Sequence, residues 1–144
     1  LYIGTPHSSS DVHRKVIADL GDQAENDPRL EALRQLAAQA KDSLYEGDFA
    51  GLGAVMNACT DAQRRLHRDL VCSRFEEIIG LAADFDVLGC KFNGAGGDGG
   101  SITLLADGDM AKKRRMLKAL AERGYQSLPL YLSRQGLRVW SSPG

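Results

Sequence analysis

A glycine-rich segment between two short apolar runs constrains this sequence more than any other feature. The segment extends from Lys91 to Ser101 and has glycine at five positions, namely Gly94, Gly96, Gly97, Gly99 and Gly100. Glycine loses more conformational freedom on folding than any other residue, so such a run is unfavourable unless the backbone must turn sharply or approach another group closely. The flanking runs, Asp86–Phe92 and Ile102–Ala106, are typical of strands. The sequence therefore predicts a unit of strand, glycine loop and strand.

The residue types of the loop leave two roles open. A run of small residues between strands can be a flexible hairpin connection. It can also allow backbone N–H groups to lie against an anion or against another main chain. Composition alone does not distinguish these two roles.

The pattern Lys91-x-x-Gly94-Ala95-Gly96-Gly97-x-Gly99 resembles the third, C-terminal motif of the GHMP kinases. That superfamily includes galactose, homoserine, mevalonate and heptose-phosphate kinases. The resemblance implies that the loop supports the bound nucleotide phosphates, through Lys91, Gly94, Ala95, Gly96, Gly97, Asp98, Gly99 and Gly100. Asp98 departs from the motif, since many members have glycine there. A carboxylate is repelled by phosphate, so Asp98 either turns outward or faces a cation or a substrate donor.

Apolar periodicity and capping residues predict the elements on either side of this unit. In chain order they are a strand at Leu1–Gly4, a helix from the serines at 8–10 to Gly21, a helix from Asp27-Pro28 to about Tyr45, a helix from about Phe49 to Leu66, a helix at Ser73–Phe85, a helix from the cap Asp109 to Arg123, and two strands around Leu128–Leu132 and Leu137–Trp140.

The order of these elements predicts an α+β fold. With the helical block taken as an enlarged first crossover, the order becomes βαββαβ followed by one extra strand. This is the ferredoxin-like, split βαβ sandwich, with an antiparallel sheet and the helices on one face. Residues 1–144 form a single domain of ordinary length in this interpretation. The C-terminal domain of the GHMP kinases resembles this plan.

A polar stripe on the third predicted helix supplies a second candidate site. Asn57, Thr60 and Gln63 lie about one turn apart on one side of the helix. Such a stripe is usually solvated. However, the segment from Gly47 to Asn57 resembles the GHMP segment whose asparagine-bearing helix borders the acceptor substrate. The resemblance implies that Asn57, and less directly Gln63, bind substrate.

Composition narrows the possible partners. The formal net charge is -1, which argues against nucleic acid or an anionic membrane as a partner. No apolar run approaches the ~20 residues of a membrane helix. The three cysteines are odd in number and lack C-x-x-C spacing, so they predict reduced thiols in a cytoplasmic protein, and no metal site is indicated. The basic residues between Lys112 and Lys118 are interpreted as a solvated helix face.

The resemblance to the GHMP kinases implies that the chain is the C-terminal domain of an ATP-dependent kinase that phosphorylates a sugar or a sugar phosphate. The phosphate-loop motif of the family's N-terminal domain, Pro-x-x-x-Gly-Leu-Gly-Ser-Ser, is not found, and no catalytic residue is assigned. We therefore expect a missing N-terminal domain as partner, with ATP and Mg²⁺ bound only in the intact enzyme. The start at Leu1 rather than Met agrees with this expectation of a fragment.

Two other functions stay open. The first is a free-standing, non-catalytic ferredoxin-like module that binds a small ligand or a partner protein. The second is nucleic-acid binding through the basic helix, which is the weakest because the sheet lacks the aromatic residues that such modules use for stacking.

Overall fold

The order of helices and strands follows the sequence prediction through most of the chain. The structure is a computed structural model that describes residues 1–3, 9–94, 99–131 and 133–141. Its elements are α1 (Ser9–Leu20), α2 (Pro28–Glu46), α3 (Phe49–Leu66), α4 (Ser73–Ala83), β1 (Gly89–Asn93), β2 (Ser101–Leu105) and α5 (Met110–Glu122), with 3-10 turns at Gly21–Asn26 and Arg68–Leu70. No helix in these ranges combines the length and the apolar character needed to cross a lipid bilayer.

The sheet is antiparallel and is built around the predicted strand pair. β1 pairs with β2 in a register that sets Gly89 opposite Leu105 and Asn93 opposite Ser101. Beyond β2, Tyr2 forms antiparallel bridges to both Ser101 and Gln126. The N-terminal residues therefore lie between the hairpin and the segment that follows α5. This arrangement confirms the predicted α+β class.

The predicted final strands are wrong for the described residues. Residues 127–131 and 133–141 have no regular structure, and Leu132 lies outside the described residues. Pro129 has no backbone N–H to donate to a ladder. The side chains of Leu130 and Leu137 are 80% and 94% exposed, so no neighbouring element buries the alternating apolar residues. Strand propensity depends mainly on such packing against neighbours, and it is missing here.

The predicted first strand is reduced to bridges at Tyr2. Its last residue, Gly4, lies outside the described residues. The backbone N–H of Ile102 donates to the carbonyl of Leu1 (3.0 Å), and that of Ile3 donates to the carbonyl of Gly100 (2.9 Å). These bonds hold the N-terminal residues along β2.

The core lies between the helices and one face of the sheet. Its largest fully buried side chains come from four different elements, and they are Phe75, Phe92, Ile78, Ile102 and Leu120. The rings of Phe75 in α4 and Phe92 in β1 pack with their centroids 5.4 Å apart. Successive strand residues point to opposite faces, so Phe92 faces the helices whereas Lys91 and Asn93 face away from them.

Candidate functional site

Glycines with left-handed backbone conformation stand at both ends of the predicted glycine loop. Gly94, directly after β1, has φ +73°, and Gly100, directly before β2, has φ +102°. Residues with a Cβ rarely adopt such angles, so glycine is required at both positions. The other loop predictions, Ala95, Gly96, Gly97 and Asp98, lie outside the described residues. Gly99 is buried.

Lys91 is the charged residue of the strand that enters this loop. Its Nζ lies 3.1 Å from the carbonyl oxygen of Phe92 and 5.8 Å from the centroid of the Phe92 ring. Within the described ranges no carboxylate forms an ion pair with Lys91. Its positive charge is therefore not neutralised by an acid of this part of the chain.

A polar cluster that was not predicted lies on the same face of the sheet as Lys91. The Asn93 Nδ2 donates to Ser101 Oγ (3.0 Å) and to Thr103 Oγ1 (3.2 Å). Thr103 is the residue opposite Lys91 in the ladder. The signal was present in the sequence, since polar residues alternate with the buried residues of both strands. However, the sequence does not show which of these polar residues lie opposite one another, because that depends on the register of the hairpin.

Asn57 binds the backbone of β1 and of the residue before it. Its Oδ1 accepts a hydrogen bond from the Cys90 N–H (2.8 Å), and its Nδ2 lies 3.4 Å from the carbonyl oxygen of Leu88. One turn further along α3, the Thr60 hydroxyl donates to the carbonyl of Cys90 (2.9 Å). Side chains of α3 thus satisfy polar backbone groups at the outer edge of the sheet.

Two glycines allow this helix to approach the strand. A Cβ on Gly53 of α3 would lie 2.3 Å from the carbonyl oxygen of Leu88. A Cβ on Gly89 of β1 would lie 2.3 Å from the carbonyl oxygen of Gly53. Both separations are far below van der Waals contact, so the two backbones touch where a side chain would not fit.

A cavity of about 260 Å³ opens beside this contact, between α3, α4 and the start of β1. Its lining is polar on the α3 side and apolar elsewhere, formed by Asn57, Thr60, Asp61, Arg64, Ile79, Ala83, Val87 and Cys90. Arg64 is held by Glu76, to which its Nε and Nη2 donate at 2.7 and 2.8 Å, and by Asp61. The cavity therefore offers no unpaired cation and suits a small, neutral polar molecule better than an anion.

The thiol of Cys90 is not an active nucleophile. Burial raises the pKa of Cys90 to about 11, so the thiol stays protonated at neutral pH. The three cysteines all lie in described parts of the chain, and all are free. Among the described residues, no three His, Cys, Asp or Glu side chains come together as a metal site.

The structure does not bring the two predicted substrate-binding residues into one cavity. Gln63 is not among the residues that line the cavity beside Asn57. Its Oε1 is buried and has no hydrogen-bond partner in the described structure. Lys91 lies further along β1 than the residues that Asn57 holds, and Gly94 follows the end of that strand. Asn57 and Gln63 therefore lie on α3, Lys91 lies on β1, and Gly94 lies directly after β1.

Comparison with known proteins shows a similarity at the level of solved structures. No family model matches the chain, and no curated protein sequence matches it. The solved structure of mevalonate kinase from L. major, in complex with R-mevalonate, is similar with a TM-score of 0.72 and 26% sequence identity. The similarity covers 85% of this chain and 37% of that protein. The chain thus has a GHMP kinase-like fold, and its α+β architecture agrees with the C-terminal domain of that family.

Proposed function

We propose that residues 1–144 are the C-terminal domain of an ATP-dependent kinase that phosphorylates a small molecule. The observation that carries this proposal is the hairpin of β1 and β2 in a GHMP kinase-like fold. In this hairpin Lys91 lies next to the glycine loop. The residues at the two ends of that loop, Gly94 and Gly100, have positive φ angles. Such a connection can turn backbone N–H groups toward an anion.

Lys91 and the loop from Gly94 to Gly100 act on the phosphates in this proposal. The ammonium of Lys91, which no carboxylate of the described residues neutralises, adds positive charge next to the loop, and backbone N–H groups add further donors. Asp98 is the exception, because its carboxylate must turn outward or face a donor of the substrate. Gly94 has open space where a Cβ would stand, so the backbone there is accessible to a ligand.

The acceptor is a sugar or a sugar phosphate in the first form of the proposal, with Asn57 and Gln63 at its border. The cavity beside Asn57 supports this placement for Asn57, whereas Gln63 is assigned by the family resemblance, since it does not line that cavity. A second acceptor class is favoured by the similarity to a kinase bound to R-mevalonate. For this chain that alternative is a hydroxy acid of mevalonate type.

A partner domain supplies the remaining chemistry. Phosphoryl transfer depends on positioning and on charge stabilisation by Mg²⁺ and donors around the transferred group. In this proposal the N-terminal domain of the intact, cytoplasmic enzyme holds Mg²⁺, and among the described residues of this chain no three His, Cys, Asp or Glu side chains come together. Exposed apolar side chains near the C-terminus support such a partner surface, namely Leu130, Tyr131, Leu137, Val139 and Trp140.

A non-catalytic binding module is the competing function, and the cavity of about 260 Å³ is the observation that favours it. In this alternative, the cavity binds a small ligand without any partner domain. The two functions differ in their dependence on ATP: the module binds its ligand equally well without ATP and consumes none.

The test is ATP consumption by the native full-length polypeptide with sugars, sugar phosphates and mevalonate as acceptors. Lys91→Met is expected to lower kcat/KM for ATP by about tenfold or more, because a charge next to the phosphates is lost. The matched control is Lys113→Met, which removes an exposed lysine of α5. Gly94→Ala is paired with Gly108→Ala, since both glycines have positive φ and open space at the Cβ position.

The proposal is contradicted if wild-type enzyme consumes no ATP with any of these acceptors. It is also contradicted for the loop if Gly94→Ala and Gly108→Ala have equal effects on kcat and on KM for ATP. Equal effects would mean that only backbone strain matters. The 144-residue chain on its own is expected to show no turnover, because it lacks the partner's groups.

A further inference from the structure

Helix α3 occupies the place where a further strand would pair with β1. Within the sheet β1 has β2 on one side, and at Cys90 both backbone groups are bound by side chains of α3. The amide of Asn57 accepts from the Cys90 N–H, and the hydroxyl of Thr60 donates to the Cys90 carbonyl. The edge of β1 is therefore held by two side chains one helical turn apart.

The distance between α3 and β1 is set by direct backbone contact. At Gly53 and Gly89 the main chains are so close that either Cβ would collide with a carbonyl oxygen. Backbone contact and hydrogen bonds act over a short segment, from Leu88, directly before β1, to Cys90. The backbone contact prevents this segment from approaching α3 more closely. If the segment withdrew, Cys90 would lose its hydrogen bonds to Asn57 and Thr60.

The held stretch leads directly into the proposed phosphate site. Lys91 follows Cys90 in the chain, and Gly94 comes four residues after Cys90, or about 13 Å at the rise of a strand. A strand paired along its length moves as a unit. The position of Cys90 against α3 therefore decides where Lys91 and the first glycine of the loop stand.

We propose that Thr60 is a positioning residue for the proposed phosphate site. It acts through the Cys90 carbonyl, with Asn57 and the Gly53–Gly89 contact completing the clamp. This inference rests on the proposed kinase function. Thr60 is 2% exposed, so water has little access to replace its hydroxyl if that hydroxyl is removed. The Cys90 carbonyl would then lose a donor, and β1 would shift or twist to recover one.

The test compares two substitutions at Thr60 in the native full-length polypeptide. Thr60→Val keeps the shape of the side chain and removes the donor, whereas Thr60→Ser keeps the donor. Thr60→Val is expected to lower kcat/KM for ATP by about tenfold to a hundredfold, since misplacement by about 1 Å is enough for such a loss. Thr60→Ser is expected to restore most of the activity.

A matched control separates positioning from loss of stability. Tyr125→Phe removes a hydroxyl that also belongs to a buried residue but donates to Glu77 Oε2 of α4 (2.7 Å) instead of to β1. It is expected to lower the thermal midpoint about as much as Thr60→Val while leaving kcat and KM for ATP within about twofold of wild type. If both variants lose activity in proportion to their loss of stability, the positioning role is wrong.

Hydrogen exchange distinguishes failure of this inference from failure of the kinase proposal. The backbone amides of Lys91 and Asn93 are expected to exchange faster in Thr60→Val than in Tyr125→Phe. If wild-type protein consumes no ATP, the kinase proposal fails and the phosphate role of Thr60 fails with it. Faster exchange would then still establish that Thr60 holds β1, and unchanged exchange would overturn the clamp itself.

Discussion

At the residue scale, the smallest side chains decide how α3 meets the sheet. Gly53 lies inside a helix, where glycine is less favourable than alanine by roughly 1 kcal/mol. Its neighbour across the contact is the carbonyl of Leu88, 2.3 Å from the position of a Cβ. The unfavourable helix propensity is therefore offset by an approach that no other residue permits.

A pair of glycine substitutions tests this explanation. Gly53→Ala is expected to lower the free energy of unfolding by about 1–3 kcal/mol, the range for overpacking a tight contact. The control is Gly80→Ala in α4, where a Cβ meets nothing within 4 Å. Alanine there is expected to raise the free energy of unfolding by roughly 0.5–1 kcal/mol. Urea denaturation measures both, and stabilisation by Gly53→Ala would contradict the close contact.

The three cysteines are expected to differ in reactivity. Cys90 is buried and its pKa is raised to about 11, whereas Cys59 and Cys72 are partly exposed. A thiol reagent at neutral pH should modify Cys59 and Cys72 in the folded protein and Cys90 only after denaturation. Mass mapping of the modified peptides measures the rates. Modification of Cys90 as fast as the others would show that the edge of β1 opens readily.

At the element scale, three helices begin directly after an aspartate. Asp27, Asp48 and Asp109 each accept a hydrogen bond from a backbone N–H of the first turn. These caps were predictable because a cap and its partner are separated by two or three residues only. The C-terminal strands were not predictable in this way, since a strand needs a neighbour from elsewhere in the chain.

Removal of the Asp109 cap should destabilise the protein in a pH-dependent way. Hydrogen bonds from the N–H groups of Lys112 and Ala111 lower the pKa of Asp109 below its ordinary value of 3.8. The contribution to stability is therefore complete above that value and is lost as the pH falls through the lower, folded value. Asp109→Ala should lower the urea midpoint at pH 7.

The control for this cap is Asp84→Ala at the end of α4, whose side chain caps no helix N-terminus. It should leave the urea midpoint nearly unchanged. The difference between the two variants should shrink in acid, below the folded pKa of Asp109. A difference that persists undiminished there would mean that the carboxylate charge is not the stabilising group.

At the scale of the whole molecule, Glu77 joins α4 to the chain around the end of α5. Its carboxylate accepts from the hydroxyl of Tyr125 (2.7 Å) and from Nη1 of Arg123 (2.9 Å). The hydrogen bond from Tyr125, and then that from Arg123, lower the pKa of Glu77. Burial and this bond raise the pKa of Tyr125 to about 12, so the phenol remains a donor at neutral pH.

The pH dependence of unfolding should reveal this link. Because the folded pKa of Glu77 is lowered, its contribution is complete above the ordinary value of 4.5 and disappears as the pH falls through the lower folded value. Glu77→Gln should thus be less stable than wild type at pH 7, and the gap should close in acid. Glu46→Gln, in an exposed part of α2, should match wild type across this range. Thermal unfolding between pH 7 and strong acid measures both.

The fluorescence of the single tryptophan should report the state of the C-terminal segment. Trp140 is 83% exposed, so acrylamide should quench it in the 144-residue chain about as efficiently as it quenches a free indole. In the native full-length polypeptide, cover by the proposed partner domain should reduce this quenching. Strong protection of Trp140 in the 144-residue chain would contradict the exposed segment, and equal quenching in both forms would place the partner surface elsewhere.

The sequence by itself determined the features that depend on neighbouring residues. It predicted the helix starts, the strand and glycine loop unit, the α+β class and the GHMP resemblance, which the similarity to mevalonate kinase confirms at the level of fold. Apolar periodicity, helix caps and the need for glycine at a turn each depend on a few neighbouring residues. They can therefore be predicted without knowledge of the fold. The roles of the loop residues and of Gln63 remain predictions.

Only the tertiary structure decided which segments meet. It placed Thr60 against Cys90, 30 residues away. It also showed that Asn57 both binds the backbone of β1 and lines a cavity. It also left the described apolar residues after Gln126 without a partner strand. A polar stripe on a helix or an alternating apolar run shows what a segment can bind. Which distant segment comes to it depends on the packing of the whole chain.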